Sequence, residues 1–365
     1  MIRLRENIDL KEMTTFGITA ICGRLIEFSE PEIDLPELDR RGLLENAIIL
    51  GGGSNMLFTG AHQDLCVIHP ITDSIETTIE DDETVKVSAD AGVILDNLCQ
   101  LTTDNGWWGL ENLSGIPGHI GGAAVQNVGA YGAEIKDVIE SVVCYSMKTH
   151  TFIEVSLEEC EYGYRDSIFK HQPNDKKLIV CKVNLRLTIK PNPRLGYQGL
   201  RNALIKEFNL LDETAHNDTR LIQRLQTSSP TIIRETVIKL RDSKLPNPEN
   251  TGSAGSFFKN PVINNKDYQQ LLSRWAKMAD NDNTIVPGHE LPDNQIKLSA
   301  AWLIDNAGCK PLTIGGAALW QTQPLVLVNA TGNATGEDVV NLEHAIIKRV
   351  ETTFGISLCP EVIHI

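Results

Sequence analysis

The sequence predicts an α+β fold with more than one domain. The chain of 365 residues is long enough for two or three domains with a substantial core. Its composition, with 41% hydrophobic and 22% charged residues, is that of a globular protein. Period-two alternation typical of strands begins at about residue 71, whereas strong helical patterns lie in the last third of the chain. Both kinds of element are therefore expected in quantity.

The charge pattern argues against a nucleic acid or a membrane as a partner. The formal net charge is −15, which disfavours an anionic nucleic acid or lipid surface. The first ten residues carry too many charges for a signal peptide and contain no apolar core. No apolar run approaches the roughly 20 residues of a membrane span. We therefore expect a cytoplasmic protein.

The cysteines and histidines give no metal or disulfide pattern. The eight cysteines include no Cys-x-x-Cys pair, and the nine histidines form no His-x-x-x-His set. We expect free thiols in a reducing compartment and no bound metal.

A glycine-rich stretch, here called the second glycine loop, runs from Leu113 to Gly132 with almost no charge. Glycine lets the backbone approach a ligand where a Cβ atom would collide. Successive backbone N–H groups can then converge on an anion such as a pyrophosphate. The glycines of this stretch are Gly115, Gly118, Gly121, Gly122, Gly129 and Gly132.

The first glycine loop lies upstream, where the apolar residues 48–50 lead into Gly51-Gly52-Gly53-Ser54-Asn55. Either loop alone could be an ordinary flexible turn, since glycine clusters commonly mark turns. Together the two loops indicate a large, phosphate-bearing cofactor held mainly by backbone. Neither loop is a P-loop, because the Gly-Lys-Ser/Thr ending is missing, and neither matches the dinucleotide fingerprint.

Taken in order, residues 1–70 are predicted to form a small α/β lobe with a helix over 35–44 and a buried strand over 47–50. Residues 71–190 are predicted to form a second lobe, with strands over 84–89, 138–146 and 178–189 and a helix over 93–105. We interpret Trp107 and Trp108 as core residues.

The remaining residues begin with a polar insert. It covers residues 191–229 and has a Gly-Tyr-Gln-Gly tip, and a solvent-exposed linker is the alternative interpretation. Residues 230–355 follow, with helices over 231–241, 296–306 and 336–354 and a buried strand over 324–329, and residues 356–365 end the chain.

The two loops, Gly-Gly-Gly-Ser-Asn-Met-Leu and Gly-Ile-Pro-Gly-His-Ile-Gly-Gly-Ala-Ala-Val-Gln-Asn-Val-Gly-Ala-Tyr-Gly, closely resemble those of the UDP-N-acetylenolpyruvoylglucosamine reductase family. These are flavoenzymes of the vanillyl-alcohol oxidase (PCMH) type. The insert resembles the extra segment of the class with a tyrosine loop. The resemblance implies an FAD-binding domain of two α/β lobes and a C-terminal α+β substrate domain, with residues 356–365 returning to the flavin.

The resemblance also implies an activity. Noncovalent FAD and the co-substrate NADPH would reduce UDP-N-acetylglucosamine enolpyruvate to UDP-N-acetylmuramate, a peptidoglycan precursor, and the protein would be a monomer. Two alternatives stay open: a carbohydrate oxidase of the same flavin fold, and a sugar-nucleotide binding protein without catalysis.

Three catalytic residues follow from family motifs: Arg165 in Tyr-Arg-Asp-Ser, Ser256 in Gly-Ser-Phe-Phe-Lys-Asn-Pro and Glu361 in Pro-Glu-Val. The implied roles are charge stabilisation, proton donation to carbon, and support of the enolate-like intermediate. The residues implied in substrate binding are Tyr164, Tyr197, Lys244, Asn260 and Gln323. The residues implied in cofactor binding are Gly51, Gly52, Gly53, Ser54, Asn55, Met56, Leu57, Ser114, Gly115, Ile116, Pro117, Gly118, Ile120, Gly121, Gly122, Ala123, Gln126, Asn127, Gly129, Ala130, Tyr131 and Arg241.

The sequence departs from the commonest family wording in three places. Cys359 replaces a glutamate two residues before Glu361. Trp320 stands where a polar residue is frequent, so that either Gln321 or Gln323 is the counterpart of the family's glutamine. His119 lies inside the second glycine loop, where covalent attachment of the flavin through its imidazole is the alternative to noncovalent binding.

Overall fold

The computed structural model describes residues 1–60, 62–173, 176–210, 217–278 and 285–365. Its strands in this part of the chain are β1 (Ile2–Asp9), β2 (Ile21–Phe28), β3 (Ile48–Ile49), β4 (Met56–Leu57), β5 (His62–Pro70), β6 (Ile75–Ile79), β7 (Thr84–Asp90), β8 (Gly129–Ala130), β9 (Ala133–Glu134), β10 (Ile139–Ser146), β11 (Thr151–Ser156), β12 (Leu178–Thr188), β13 (Gly252–Ser256), β14 (Val262–Asn264), β15 (Gly288–Leu291), β16 (Gln295–Leu298), β17 (Thr313–Ile314), β18 (Ala317–Trp320), β19 (Gln323–Asn329) and β20 (Ile363–His364).

The α-helices of the same residues are α1 (Pro31–Arg40), α2 (Leu95–Asp104), α3 (Ile120–Gln126), α4 (Gln198–Glu207), α5 (Asn217–Leu225), α6 (Thr231–Asp242), α7 (Asn265–Met278), α8 (Ala300–Asn306) and α9 (Gly336–Phe354). The helix predicted over 336–354 is confirmed. Its start is fixed by a capping box, in which the Thr335 side chain accepts from the Asp338 N–H and the Asp338 side chain accepts from the Thr335 N–H.

Three predicted elements are corrected by the structure. The helix predicted over 35–44 lies four residues earlier, because Pro31 occupies a first-turn position that suits proline. The strand predicted over 47–50 shrinks to two residues. The helix predicted over 296–306 begins only at Ala300, where the Ser299 side chain accepts from the Trp302 N–H. The residues just before it form β16, which pairs with β14 and β15.

The chain divides into two compact units, each built from separated stretches. The first unit comprises Met1–Ile8, Cys22–Gly52 and His62–Ser243. The second unit comprises Asp9–Ile21, Gly53–Ala61 and Lys244–Ile365.

In its described residues, the first unit contains two larger sheets and the two-stranded antiparallel pair β8-β9. One is four-stranded, in the order β1-β2-β5-β3, with β5 parallel to both β2 and β3. The other is five-stranded and antiparallel, in the order β11-β10-β12-β7-β6. β7 alternates buried and half-buried residues, as its period-two pattern predicts. Its buried face belongs to a core that also includes Leu95 and Leu98 of α2 and Ile120 of α3.

The insert after β12 is packed rather than solvated. Leu200 and Leu204 of α4 and Leu221 and Leu225 of α5 are fully buried. They form one cluster with Trp108 and with Ile233 and Val237, which lie on α6. The linker alternative for residues 191–229 is therefore wrong for the described part of the insert, and Trp108 is confirmed as a core residue.

The second unit is built around α8, α9 and the sheet β13-β19-β18-β17. A three-stranded sheet, β14-β16-β15, and the two-stranded parallel pair β20-β4 complete it. Gly252 lies against Phe16, since a Cβ atom on Gly252 would be 2.0 Å from the Phe16 carbonyl oxygen. Residues 9–21 and 53–61 are thereby part of the same folded body as the C-terminal residues.

The cysteines are all free thiols, seven of them buried and Cys359 exposed. Within the described ranges, no cluster of His, Cys, Asp and Glu side chains is arranged to hold a metal ion. Nor is any helix of those ranges both long and apolar enough to cross a membrane.

Truncating Leu221 tests the packing of the insert. Leu221→Ala should lower the free energy of unfolding by about 2–5 kcal/mol, because a fully buried leucine leaves a cavity. Ile222→Ala is the matched control on the neighbouring residue. Ile222 is 45% exposed, so truncating its side chain should change the free energy of unfolding by no more than about 0.5 kcal/mol. Equal effects of the two substitutions in denaturant unfolding would contradict a packed insert.

Candidate flavin site and catalytic residues

In the first unit, the two glycine loops touch through their backbones. A Cβ atom on Gly52 would lie 2.6 Å from the Cα of Gly118 and 3.2 Å from Cδ2 of His119. No side chain fits at that distance, so the contact requires glycine at residue 52. Within the first unit, Gly52 of the first loop thus lies directly against the second glycine loop.

An ion pair that the sequence analysis missed holds the second glycine loop in place. Asp96, in the first turn of α2, accepts from the Gly115 N–H at 2.6 Å. Arg234 of α6 donates to the same carboxylate through two nitrogens, at 2.5 and 2.9 Å. Burial acts to raise the pKa of Asp96, but the Arg234 guanidinium and the Gly115 N–H outweigh it and hold this pKa below its ordinary value. Asp96 is therefore ionised, and it fixes the entrance of the loop.

Gln126 carries an unsatisfied amide at the end of α3. The residue is only 7% exposed. Its side-chain nitrogen and oxygen are both buried, and neither has a hydrogen-bond partner among the described residues. Because an unpaired buried amide is unfavourable, the arrangement fits a ligand that supplies both partners.

The side chain of Asn127, in contrast, is already engaged. It donates to Glu134 Oε2 at 3.1 Å and to the Gly163 carbonyl at 2.7 Å, and its oxygen accepts from the Lys136 N–H. Its backbone is left-handed, with φ of 45°. Asn127 thus shapes the loop, and its predicted contact with the cofactor stays a prediction.

Arg241 places a cation beside the second glycine loop. Its Nε lies 3.1 Å from the position of a Cβ atom on Gly115. Burial lowers the pKa of its guanidinium, although nearby Tyr131, Asp96 and Asp242 act in the opposite direction. Among the described residues, none accepts a hydrogen bond from this side chain. A buried guanidinium of this kind fits an anionic or hydrogen-bond-accepting group of a cofactor.

His119 is a neutral imidazole in the same loop. Its Nδ1 is buried without a partner in the described part of the chain. Burial, together with the nearby His69, lowers the pKa of His119 to about 4. The two rings lie 5.8 Å apart, and Nδ1 of His69 bonds to the Leu50 carbonyl at 2.7 Å.

Three features of these loops fit a large phosphate-bearing cofactor. They are the close glycine contact at Gly52, the buried amide of Gln126 and the buried guanidinium of Arg241.

Arg165 lies at the tip of a tight turn, with Gly163 and Asp166 hydrogen-bonded across it. Its backbone is left-handed, with φ of 55°. Its guanidinium donates to the Gly129 carbonyl at 2.5 Å and to the Asn127 carbonyl at 3.4 Å. Its Nη1 also lies 3.8 Å from Glu134 Oε1. The second glycine loop therefore orients the predicted catalytic arginine, whose guanidinium also lies 5.3 Å from the ring centre of Tyr164.

Tyr197 lies directly before α4 and against the second glycine loop. Its ring meets Tyr131 edge to face with centroids 5.3 Å apart, and the residue is 41% exposed. Asn112, which is buried, ties the two segments together by donating to the carbonyls of Tyr131 at 2.8 Å and Arg194 at 3.0 Å. The predicted tyrosine loop is thus attached to the second glycine loop, the loop to which Arg165 also donates hydrogen bonds.

In the second unit, the backbone links two of the predicted catalytic residues. The Glu361 N–H donates to the carbonyl of Phe257, the residue after Ser256, at 2.8 Å. The Lys259 N–H donates to the Cys359 carbonyl at 2.9 Å. The structure therefore places Glu361 beside the residue that follows Ser256, whereas Arg165 belongs to the first unit.

Three predicted substrate residues also lie in the second unit. The Asn260 side-chain oxygen accepts from the Ala300 N–H at the start of α8, which leaves its amide nitrogen for other partners. Thr322 donates from Oγ1 to the Lys244 carbonyl at 2.8 Å. Gln323 begins β19 and pairs with Trp320 across a turn. Gln321 lies in that turn and is exposed, so the choice between the two glutamines stays open.

Comparison with known proteins gives two family matches. Residues 45–149 match a family described as FAD binding domain. Residues 247–365 match UDP-N-acetylenolpyruvoylglucosamine reductase, C-terminal domain. The glycine-loop site, together with the first match, defines the class of protein as an FAD-binding flavoprotein. The predicted α+β fold class, a PCMH-type FAD domain with a C-terminal domain, is confirmed, whereas the individual domain boundaries stay predictions.

Full-length relatives narrow the class. The UDP-N-acetylenolpyruvoylglucosamine reductase of Flavobacterium johnsoniae is 36% identical over 99% of both chains. That of Shewanella oneidensis is 36% identical over 96% of this chain and 93% of its own length. The chain belongs to the UDP-N-acetylenolpyruvoylglucosamine reductase family. The crystal structure of the reductase from Thermus caldophilus, 24% identical and covering 100% and 99% of the two chains, has the same fold with a TM-score of 0.64.

Adding a methyl group at Gly52 tests the contact between the loops. Gly52→Ala should push the loops apart at a cost of about 1–3 kcal/mol and weaken FAD binding roughly five- to a hundredfold. Titration of the apoprotein with FAD, followed by flavin fluorescence, measures the affinity. Gly60→Ala is the control, because no atom lies within 4 Å of a Cβ there. Unchanged affinity in a folded Gly52→Ala protein would contradict the assignment.

Proposed function

We propose that this chain is an NADPH-dependent flavoenzyme that reduces UDP-N-acetylglucosamine enolpyruvate to UDP-N-acetylmuramate, a precursor of peptidoglycan. The observation that carries the proposal is the full-length match to enzymes named as UDP-N-acetylenolpyruvoylglucosamine reductases. The glycine loops, Gln126 and Arg241 would hold FAD. When bound, FAD would supply the hydride for the terminal vinyl carbon, with NADPH as the source of the reducing equivalents.

Arg165 is proposed to stabilise the charge that develops on the substrate carboxylate. Hydride addition to the vinyl group pushes electron density toward that carboxylate and gives an enolate-like intermediate. A planar, permanently charged guanidinium suits such a group. The hydrogen bonds from Arg165 to the second glycine loop support this role, because an oriented donor need not reorganise during the reaction.

Ser256 is proposed to donate a proton to the carbon next to the terminal vinyl carbon. Glu361 is proposed to support the enolate-like intermediate. Serine is a poor acid in water, but a carbanion-like centre is a strong base, so proton transfer is feasible. A bare carboxylate beside the intermediate would repel it, so Glu361 should act protonated or within a shared hydrogen bond. The Glu361–Phe257 hydrogen bond supports this pairing, since it holds the backbone of Glu361 against the residue that follows Ser256.

The substrate's remaining groups are assigned to Tyr164, Tyr197, Lys244, Asn260 and Gln323. Lysine is a suitable point charge for a diphosphate, and tyrosine hydroxyls add donors. We further propose a cytoplasmic monomer that binds neither nucleic acid nor membranes, which the net charge of −15 and the free thiols support. Nothing in the described residues favours the oxidase or the inactive binding protein.

The proposed function predicts separate effects on the two half-reactions at Ser256. Ser256→Ala should leave reduction of the flavin by NADPH nearly intact, because that step needs no proton donor to carbon. Reoxidation by the enolpyruvyl substrate should slow by at least about 10²–10⁴, the usual contribution of general acid catalysis. Ser256→Cys should recover part of the rate, since a thiol also donates a proton.

Anaerobic stopped-flow absorbance of the flavin measures each half-reaction. Ser253→Ala is the matched control on the same strand, β13. Equal slowing of both halves in Ser256→Ala would show that the serine positions the cofactor or the fold instead. A wild-type protein that NADPH reduces but only oxygen reoxidises would favour the oxidase alternative.

Removal of one hydroxyl tests the tyrosine loop. Tyr197→Phe should weaken binding of the enolpyruvyl substrate about ten- to a hundredfold. This factor corresponds to the loss of one hydrogen bond to a charged group, which is worth roughly 1.5–3 kcal/mol. FAD content and NADPH oxidation should stay nearly unchanged. Tyr268→Phe, which removes a hydroxyl bonded to the Val286 carbonyl, is the control. An unchanged Michaelis constant for the substrate would exclude Tyr197 from substrate binding.

A further inference from the structure

We propose that Asn55 of the first glycine loop is a positioning residue that holds Glu361 in place; the inference rests on the proposed function. The Asn55 side-chain amide donates to the Glu361 carbonyl at 3.2 Å. The Asn55 carbonyl accepts from the Ile363 N–H at 3.0 Å. Asn55 is therefore hydrogen-bonded to the residues on both sides of Val362. Asn55 and this C-terminal segment all lie in the second unit.

The segment that Asn55 grips is fixed along its length. β20 pairs in parallel with β4, the strand that directly follows Asn55. The Ile365 N–H donates to the Leu57 carbonyl at 2.9 Å, and Thr59 donates to the Ile365 carbonyl from its N–H and its hydroxyl. The end of the described chain thus lies as a strand beside the exit of the first glycine loop.

Both backbone polar groups of Glu361 have partners. Its N–H is bonded to Phe257, beside Ser256, and its carbonyl is bonded to Asn55. Because the backbone on each side of the residue is fixed, the direction in which its side chain leaves the backbone is fixed as well. The contact with Phe257 is made by backbone and survives any substitution there, whereas the contact with Asn55 depends on one side chain.

The contact requires a hydrogen-bond donor in the side chain of residue 55. The acceptor is a carbonyl oxygen, so the side chain must supply an N–H or O–H donor. An ionised aspartate has the shape of asparagine but places an oxygen against that carbonyl. Alanine removes the donor without adding charge. Asn55→Ala therefore measures the loss of the hydrogen bond alone, and Asn55→Asp measures that loss together with repulsion between two oxygens.

The expected effect falls on one half-reaction. Loss of a neutral hydrogen bond corresponds to about a two- to tenfold change. In the FAD-loaded Asn55→Ala enzyme we expect reoxidation by the enolpyruvyl substrate to slow by that factor, and by more in Asn55→Asp. The sequence motif also predicts a cofactor contact for Asn55, so both half-reactions are measured at saturating FAD and the affinity for FAD is measured beside them. Reoxidation should slow more than reduction by NADPH, because only reoxidation is proposed to use Glu361.

A double-mutant cycle separates positioning from a general structural role. If Asn55 acts through Glu361, adding Asn55→Ala to Glu361→Gln should slow reoxidation by less than about twofold further, since the two changes are coupled. Asn306→Ala is the matched control, because Asn306 also donates its amide to a backbone carbonyl, that of Trp302, at 2.9 Å in the same unit.

The outcomes are distinct. The same slowing by Asn55→Ala in both backgrounds, or a matching loss of FAD affinity, would overturn the proposal and make Asn55 a cofactor or fold residue. If Asn55→Ala does not fold, the isosteric Asn55→Asp is put through the same cycle. Failure of the wild-type enzyme to reduce the enolpyruvyl substrate would instead overturn the proposed function, and this inference with it.

Discussion

The first unit depends on a contact that leaves no room for a side chain. The backbone of Gly52 lies against that of Gly118, although the two residues are 66 positions apart in the chain. The neighbouring elements stabilise this contact. α2 contributes Asp96, and α6 contributes the Arg234 that pairs with it. The second glycine loop is thus held by an ion pair, while the buried side-chain amide of Gln126 has no hydrogen-bond partner among the described residues.

The arrangement of charge resolves an apparent conflict. A protein of net charge −15 is proposed to bind a dinucleotide, a second nucleotide and a nucleotide sugar, all of which are anionic. The structure meets this requirement locally rather than globally. Arg165 and Arg241 are both held against the second glycine loop, one by backbone carbonyls and the other by burial. Two well-placed cations in a partly desolvated setting act more strongly than a diffuse basic surface.

Sequence reasoning was most successful where the signal is local. The helix over Gly336–Phe354 is predicted from its periodicity, which is a local signal, and the capping box that starts it is local as well. Prediction fails at residues 296–298, where an apolar pattern suits helix and strand equally and the pairing with β14 and β15 decides. The loops were recognised from their glycines. The bonds from Arg234 to Asp96 and from Asn55 to Glu361 span 138 and 306 residues, and a single sequence carries no signal for pairs so distant.

The left-handed backbone of Arg165 has a consequence for the evolution of the protein. A residue with a Cβ atom in that conformation is less stable by roughly 1–2 kcal/mol than one in the right-handed region, and glycine escapes most of this penalty. Folding alone would therefore favour glycine at the tip of the turn. Retaining a long cationic side chain there exchanges stability for chemistry, so variants selected only for heat resistance should tend to lose the arginine first.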